Sequence, residues 1–117
     1  MKIVFIGTVN FSETILKTLL HLNANVVGIC TLKKSSFNSD FNDLSKLADN
    51  KKIPYKYCND INSESSISWI KDKDPDIIFC IGWPRLIKKK LLNLPPKGVV
   101  GYHPTLLPKN RGRHPII

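Results

Sequence analysis

The chain has 117 residues, 42% hydrophobic and 23% charged, with 18 Lys or Arg against 9 Asp or Glu for a formal net charge of +9. That length fits one domain with a sizeable core, and the composition excludes a fibre, a low-complexity chain or a disordered one. No apolar run approaches the roughly 20 residues of a membrane span and no secretory signal opens the chain, so no membrane partner is expected and the cytoplasm is the expected location.

The charge is uneven. Ten Lys or Arg face nine acids through Asp76, and after Asp76 there are eight cations and no acid, so +8 of the +9 sits in the last 41 residues. A field of that sign favours anionic ligands, although Lys88-Lys89-Lys90 reads equally well as a solvated helix face. The cysteines are Cys30, Cys58 and Cys80. They are odd in number, and two lie in apolar runs, which predicts buried, reduced thiols.

In chain order, Lys2-Ile-Val-Phe-Ile-Gly7 is a short, continuously apolar run, the pattern of a central strand covered on both faces. Ile15, Leu16, Leu19, Leu20 and Leu22 then recur at helical spacing, with Asn10 or Ser12 as the expected N-cap. The turn between them, Gly7-Thr8-Val9-Asn10, has neither G-x-G-x-x-G nor a Walker lysine, so it carries no dinucleotide or P-loop fingerprint. Asn25 to Leu32 predicts the second strand, Lys33 to Asp40 a polar loop, and Asp40 to Asn50 a short helix with Phe41, Leu44, Leu47 and Ala48 on one face.

Ile53 to Cys58 is a third strand, placed at a sheet edge by Pro54. Ser63 to Lys73 is a helix that Asp74-Pro75 ends, with Trp69 on its core face. Asp76 to Trp83 holds five consecutive apolar residues and gives the clearest strand. A helix through Leu91, Leu92 and Leu94 follows, and Val99 to Tyr102 is a fifth strand that delivers His103.

Strands alternating with helices predict an α/β, Rossmann-like open parallel sheet with helices on both faces. With the first strand central, the order is 3-2-1-4-5 and the switch point lies between strands one and four. Gly7-Thr8, Gly82-Trp83-Pro84 and Tyr102-His103 then converge on one crevice. His103 suits acyl-transfer chemistry because its pKa lies near neutrality, so it can hold a developing oxyanion or take a proton. A metal pair of His103 and His114 with a cysteine fits no common zinc spacing, and no metal is expected.

His103-Pro104-Thr105-Leu106-Leu107-Pro108 followed by Arg111-Gly112 resembles the His-x-x-x-Leu-Pro…Arg-Gly signature of the folate-dependent formyltransferases, which act on methionyl-tRNA or on amino sugars among other amines. Gly7, Thr8 and Phe11 match the family's Gly-Thr-x-x-Phe turn. Ile81 to Ile87 stands where the family has Tyr-Gly-x-x-Leu-Pro. The resemblance implies that Gly82, Trp83, Pro84, Leu86 and Ile87 frame the pterin ring of 10-formyltetrahydrofolate. It also implies that His103 is catalytic, and that Gly7, Thr8, Phe11, Tyr102, Arg111, Gly112, Arg113 and His114 contact substrate.

The implied reaction is direct transfer: the substrate amine attacks the formyl carbon while His103 stabilises the tetrahedral oxyanion. Two departures stand out. The family's usual Asn two residues before the His is Gly101 here, and its catalytic Asp, in an Asp-x-Gly loop, has no counterpart after Asp76. Residues 1–117 are therefore expected to be the N-terminal part of a formyltransferase domain. The expected acceptor is a small amine, an amino sugar carried on a nucleotide, because Arg111-Gly112-Arg113-His114-Pro115 and Gly101 depart from the tRNA enzyme's usual pattern. Methionyl-tRNA formylation is the alternative, and a non-catalytic folate- or nucleotide-binding fragment, alone or in an oligomer, is a further one.

Overall fold

The computed structural model describes residues 1–34 and 40–102. Among these residues, five strands alternate with four helices: β1 (Lys2–Ile6), α1 (Asn10–His21), β2 (Asn25–Thr31), α2 (Ser45–Asn50), β3 (Tyr55–Tyr57), α3 (Glu64–Asp72), β4 (Ile77–Ile81), α4 (Lys89–Leu92) and β5 (Val99–Tyr102). All four strand pairings are parallel, and the sheet order is β3-β2-β1-β4-β5, as the alternation of elements predicts.

β1 is central because it is apolar on both faces. Val4 and Ile6 point into a core with Cys30, Ile67, Ile70, Ile78, Trp83 and Leu91, which packs the α3 and α4 side. Ile3 and Phe5 point the other way, onto Leu16, Leu44 and Ala48 from α1 and α2. Phe5 and Ile6 are fully buried. Each such side chain contributes roughly 1.5–3 kcal/mol, which outweighs any strand propensity at the same position.

Three local features are set by tertiary contacts, and the last two correct expectations. In β2, Ile3 pairs with Val26 but Val4 with Gly28, so a bulge falls at Val27. A Cβ on Gly28 would come within 3.0 Å of the Trp69 ring, which is how Trp69 closes over the bulge. The Lys73 ammonium sits 4.6 Å from the centre of that same ring.

The second feature corrects the expected cap of α1. Its N-cap is Val9, in extended conformation, rather than Asn10 or Ser12. Ser12 sits one turn inside and accepts the Val9 N–H through its hydroxyl at 3.1 Å, so the orphan donor is met from within the helix. The helix stops at Asn23, whose φ of 64° an asparagine tolerates better than most residues.

Third, α2 begins at Ser45, not Asp40. Residues 40–42 are drawn instead onto the β1–α1 turn: Asn10 N–H donates to the Asp40 carbonyl, Asn42 N–H donates to the Thr8 carbonyl, and Phe41 bridges Val9. Those backbone groups cannot also serve a helix. α3 starts as expected, with the Ser63 hydroxyl accepting from Ser66 N–H, and Asp74 (φ 52°) and Pro75 follow its end.

Candidate functional site

The switch point between β1 and β4 is built from two tight turns pressed together. Gly7 leaves β1 so close to β4 that a Cβ there would lie 2.5 Å from the Ile81 carbonyl oxygen. Gly82 leaves β4 with φ +71°, and a Cβ there would lie 2.3 Å from a Val9 methyl. Only glycine combines that backbone with that space. Thr8 N–H donates to the Gly82 carbonyl at 3.2 Å, and the Ser12 hydroxyl donates to the Ile81 carbonyl at 2.6 Å.

Thr8 itself is fully buried, its hydroxyl donating to the Asn42 carbonyl at 3.2 Å. Asn42 in turn donates from its side-chain amide to Glu13 at 2.8 Å and to Asn10 at 3.1 Å. The segment after residue 39 is thus laced to the β1–α1 turn and the first turn of α1. Phe11 lies on the first turn of α1, 44% exposed.

The loop after Gly82 divides into a buried and an open part. Trp83 is 3% exposed with its ring in the core, and its indole Nε1 has no hydrogen-bond partner among the described residues. Pro84, Arg85 and Leu86 are exposed, Leu86 to 74%, and Ile87 turns back to pack on the core. Among the described residues, nothing accepts from the N–H groups of Arg85, Leu86 or Ile87. The backbone of this stretch is held instead by Asn62, whose side-chain amide donates to the Leu86 carbonyl at 2.9 Å and accepts from Lys88 N–H at 2.9 Å. A run of N–H groups that meets no acceptor among the described residues, beside the exposed Leu86, is suited to gripping the edge of a flat heteroaromatic ring.

β5 brings Gly101 and Tyr102 alongside Cys80 and Ile81. The sequence-predicted residues Gly7, Thr8, Phe11, Gly82, Trp83, Pro84, Leu86, Ile87 and Tyr102 all lie at or just beyond the carboxyl ends of β1, β4 and β5. His103, Arg111, Gly112, Arg113 and His114 lie outside the described residues. Ser12, Asn42 and Asn62 carry much of the local bonding and were not singled out from sequence beyond Ser12 as a cap. The signal available for Asn62 was its place in the polar turn Asn59-Asp60-Ile61-Asn62-Ser63, where Asn62 N–H donates to the Asp60 carboxylate.

The thiols form a separate cluster beneath the sheet. Hydrogen bonding from the Cys30 thiol, with help from Ser66 and Lys56, lowers Cys58 to about 7 against the cost of burial. Cys30, the donor of that pair, is held well above its ordinary range, and burial pushes Cys80 up to about 12. All three are free cysteines. The exposed cations of the carboxyl-terminal part, Arg85, Lys88, Lys89, Lys90 and Lys97, take no ion pair among the described residues. Also among the described residues, no helix is long and apolar enough to cross a membrane.

Comparison with known proteins matches this architecture. The methionyl-tRNA formyltransferases of Thermotoga sp. (strain RQ2) and Kosmotoga olearia are 31% and 32% identical over 120 residues, across 99% of this chain and 38% and 39% of theirs. The chain therefore spans about two-fifths of the length of the curated relatives it matches. Among solved structures, glycinamide ribonucleotide transformylase 1 from Geobacillus kaustophilus superposes with a TM-score of 0.66 at 19% identity, covering 96% of this chain and 62% of that one. A formyltetrahydrofolate deformylase from Pseudomonas putida KT2440 gives 0.64 at 14% identity, over 97% and 41%. These structures share the fold, here a partial domain of it. The sequence profile described as formyl transferase matches residues 1–117, so the chain belongs to the formyl transferase family.

Proposed function

We propose that this chain forms the donor-binding part of an enzyme that transfers a formyl group from 10-formyltetrahydrofolate to the amino group of methionine carried on tRNA. The observation that carries the reading is the family match over residues 1–117, together with curated relatives of one printed activity. Those relatives favour methionyl-tRNA over the amino sugar nucleotide that residues 101 and 111–115 suggested. The open loop at Arg85–Ile87 supports the donor: its free N–H groups and the exposed Leu86 suit a pterin edge and face.

When bound, 10-formyltetrahydrofolate supplies an electrophilic formyl carbon. Gly7 and Gly82 keep the two turns close enough for the loop and the β5 end to flank one reacting centre, which is how positioning lowers a bimolecular barrier. His103, one residue past β5, is the group proposed to hold the developing oxyanion. Gly101 offers no side chain for that purpose.

The test is the complete protein with 10-formyltetrahydrofolate and, in separate reactions, charged methionyl-tRNA or amino sugar nucleotides, followed by mass spectrometry. Formylmethionyl-tRNA is the expected product. Formylation of an amino sugar alone would move the acceptor back to the small-molecule class, and no formylated amine at all would overturn the reading. Heat released on titrating the folate into the protein would identify a binder in that last case.

A further inference from the structure

The loop that the donor reading relies on is not held by its own sheet. From Trp83 to Ile87, no backbone group bonds to β4, β1 or β5 among the described residues. Its bonds run to Asn62, which lies in the turn before α3 and is separated from Leu86 and Lys88 by 24 and 26 residues. The Asn62 amide behaves as a borrowed peptide unit: its N–H meets a carbonyl, and its oxygen meets an N–H, two residues apart. Only one orientation of the amide satisfies both, because the reverse sets oxygen against oxygen.

Asn62 is itself fixed. Its N–H donates to the Asp60 carboxylate at 3.0 Å, and the Asp60 carbonyl accepts from Ser63 N–H and from the Ser66 hydroxyl at 2.7 Å. Beyond the loop, Lys88 is the N-cap residue of α4, and its carbonyl accepts from Leu91 and Leu92. One side chain therefore ties the α3 entry, the open loop and the α4 entry together.

We infer that Asn62 is a positioning residue for the formyl donor: by fixing Leu86 and Lys88 it sets the spacing of the Arg85, Leu86 and Ile87 N–H groups that meet the pterin. This rests on the donor-binding reading of that loop. Asn62 touches no reacting atom. Its loss frees the loop in the unbound protein, so the donor must bind and order it at once, and affinity for the donor falls while the chemical step is spared.

In the complete protein, Asn62→Ala is expected to raise KM for 10-formyltetrahydrofolate about tenfold, with kcat at saturating donor and KM for the acceptor changed less than about twofold. Asn62→Asp keeps the acceptor for Lys88 N–H but sets a carboxylate oxygen against the Leu86 carbonyl. It should raise donor KM at least as far, and it decides the matter if Asn62→Ala does not fold. Ser63→Ala removes the α3 cap without touching the loop bonds and shows how far KM moves for lost stability alone. Donor KM unchanged in both Asn62 variants, or moved no further than in Ser63→Ala, overturns the role of Asn62 while leaving the donor reading intact. A parent protein that shows neither turnover nor calorimetric binding of the folate overturns that reading and the role of Asn62 with it.

Discussion

The Ser12 hydroxyl lies 2.6 Å from the carbonyl oxygen of Ile81, a residue 69 positions away, and donates to it while accepting from Val9 N–H. One buried oxygen thus fixes how far the start of α1 stands from the end of β4. Ser12→Ala strands both the Ile81 carbonyl and the Val9 N–H in a water-free place. The expected loss is about 2–3 kcal/mol of folding stability, measured by urea unfolding, with no change in the m-value.

Gly82 and Gly98 separate two costs that usually come together. Both have positive φ, +71° and +84°, but a Cβ on Gly82 meets Val9 at 2.3 Å and one on Gly98 meets nothing within 4 Å among the described residues. Gly98→Ala is expected to lose only the backbone cost, about 1 kcal/mol, and Gly82→Ala at least twice that. Equal losses in thermal or urea unfolding would show that the β1–α1 turn moves aside freely.

Gly101 has no positive φ, and among the described residues a Cβ there meets only the Cys80 carbonyl oxygen, at 3.4 Å, an ordinary contact. Gly101→Asn should therefore fold without loss and gain slightly from a less flexible unfolded chain. If His103 works as proposed, the added amide donor should raise kcat by about tenfold or more. A folded variant with unchanged kcat would mean that oxyanion stabilisation in this protein does not use that position.

The three thiols give stability a distinctive pH profile. Cys58 titrates lower folded, at about 7, than its ordinary value of 9.0, so its contribution is fully present above pH 9 and is lost as the pH falls through 7. Cys80 titrates higher folded, at about 12, so its contribution is present below pH 9 and is lost as the pH rises towards 12; Cys30 is shifted in the same upward sense. Stability should climb from pH 7 to 9 and decline beyond. Cys58→Ala should flatten the climb, and Cys30→Ala should shift the thiolate absorbance of Cys58 to higher pH.

What the sequence disclosed follows from where the decisive interactions lie along the chain. Strand identity, the parallel order and the convergence of Gly7 with Gly82 were legible because they depend on short apolar runs and on the alternation of elements. The start of α2 was not, because Phe41 continues the helical spacing of Leu44, Leu47 and Ala48 while Asp40 and Asn42 on either side of it spend their backbone groups on Asn10 and Thr8. The bulge at Val27 was hidden for a related reason: Trp69, 41 positions on from Gly28, decides how β2 must bend. Ser12 and Asn62 look like ordinary polar residues until their partners at Ile81, Leu86 and Lys88 are in place.

The central place of β1 also sets a schedule for synthesis. Its β2 partners, from Asn25, are made soon after it, but its β4 partners begin only at Ile77, about 50 residues later. At ordinary elongation rates that is on the order of several seconds. Throughout that interval the edge of Ile3-Val4-Phe5-Ile6 has no neighbour to pair with, and it is the most apolar strand edge in the nascent chain. The strand that ends up best protected in the finished molecule is therefore the one most in need of a chaperone while the ribosome is still at work.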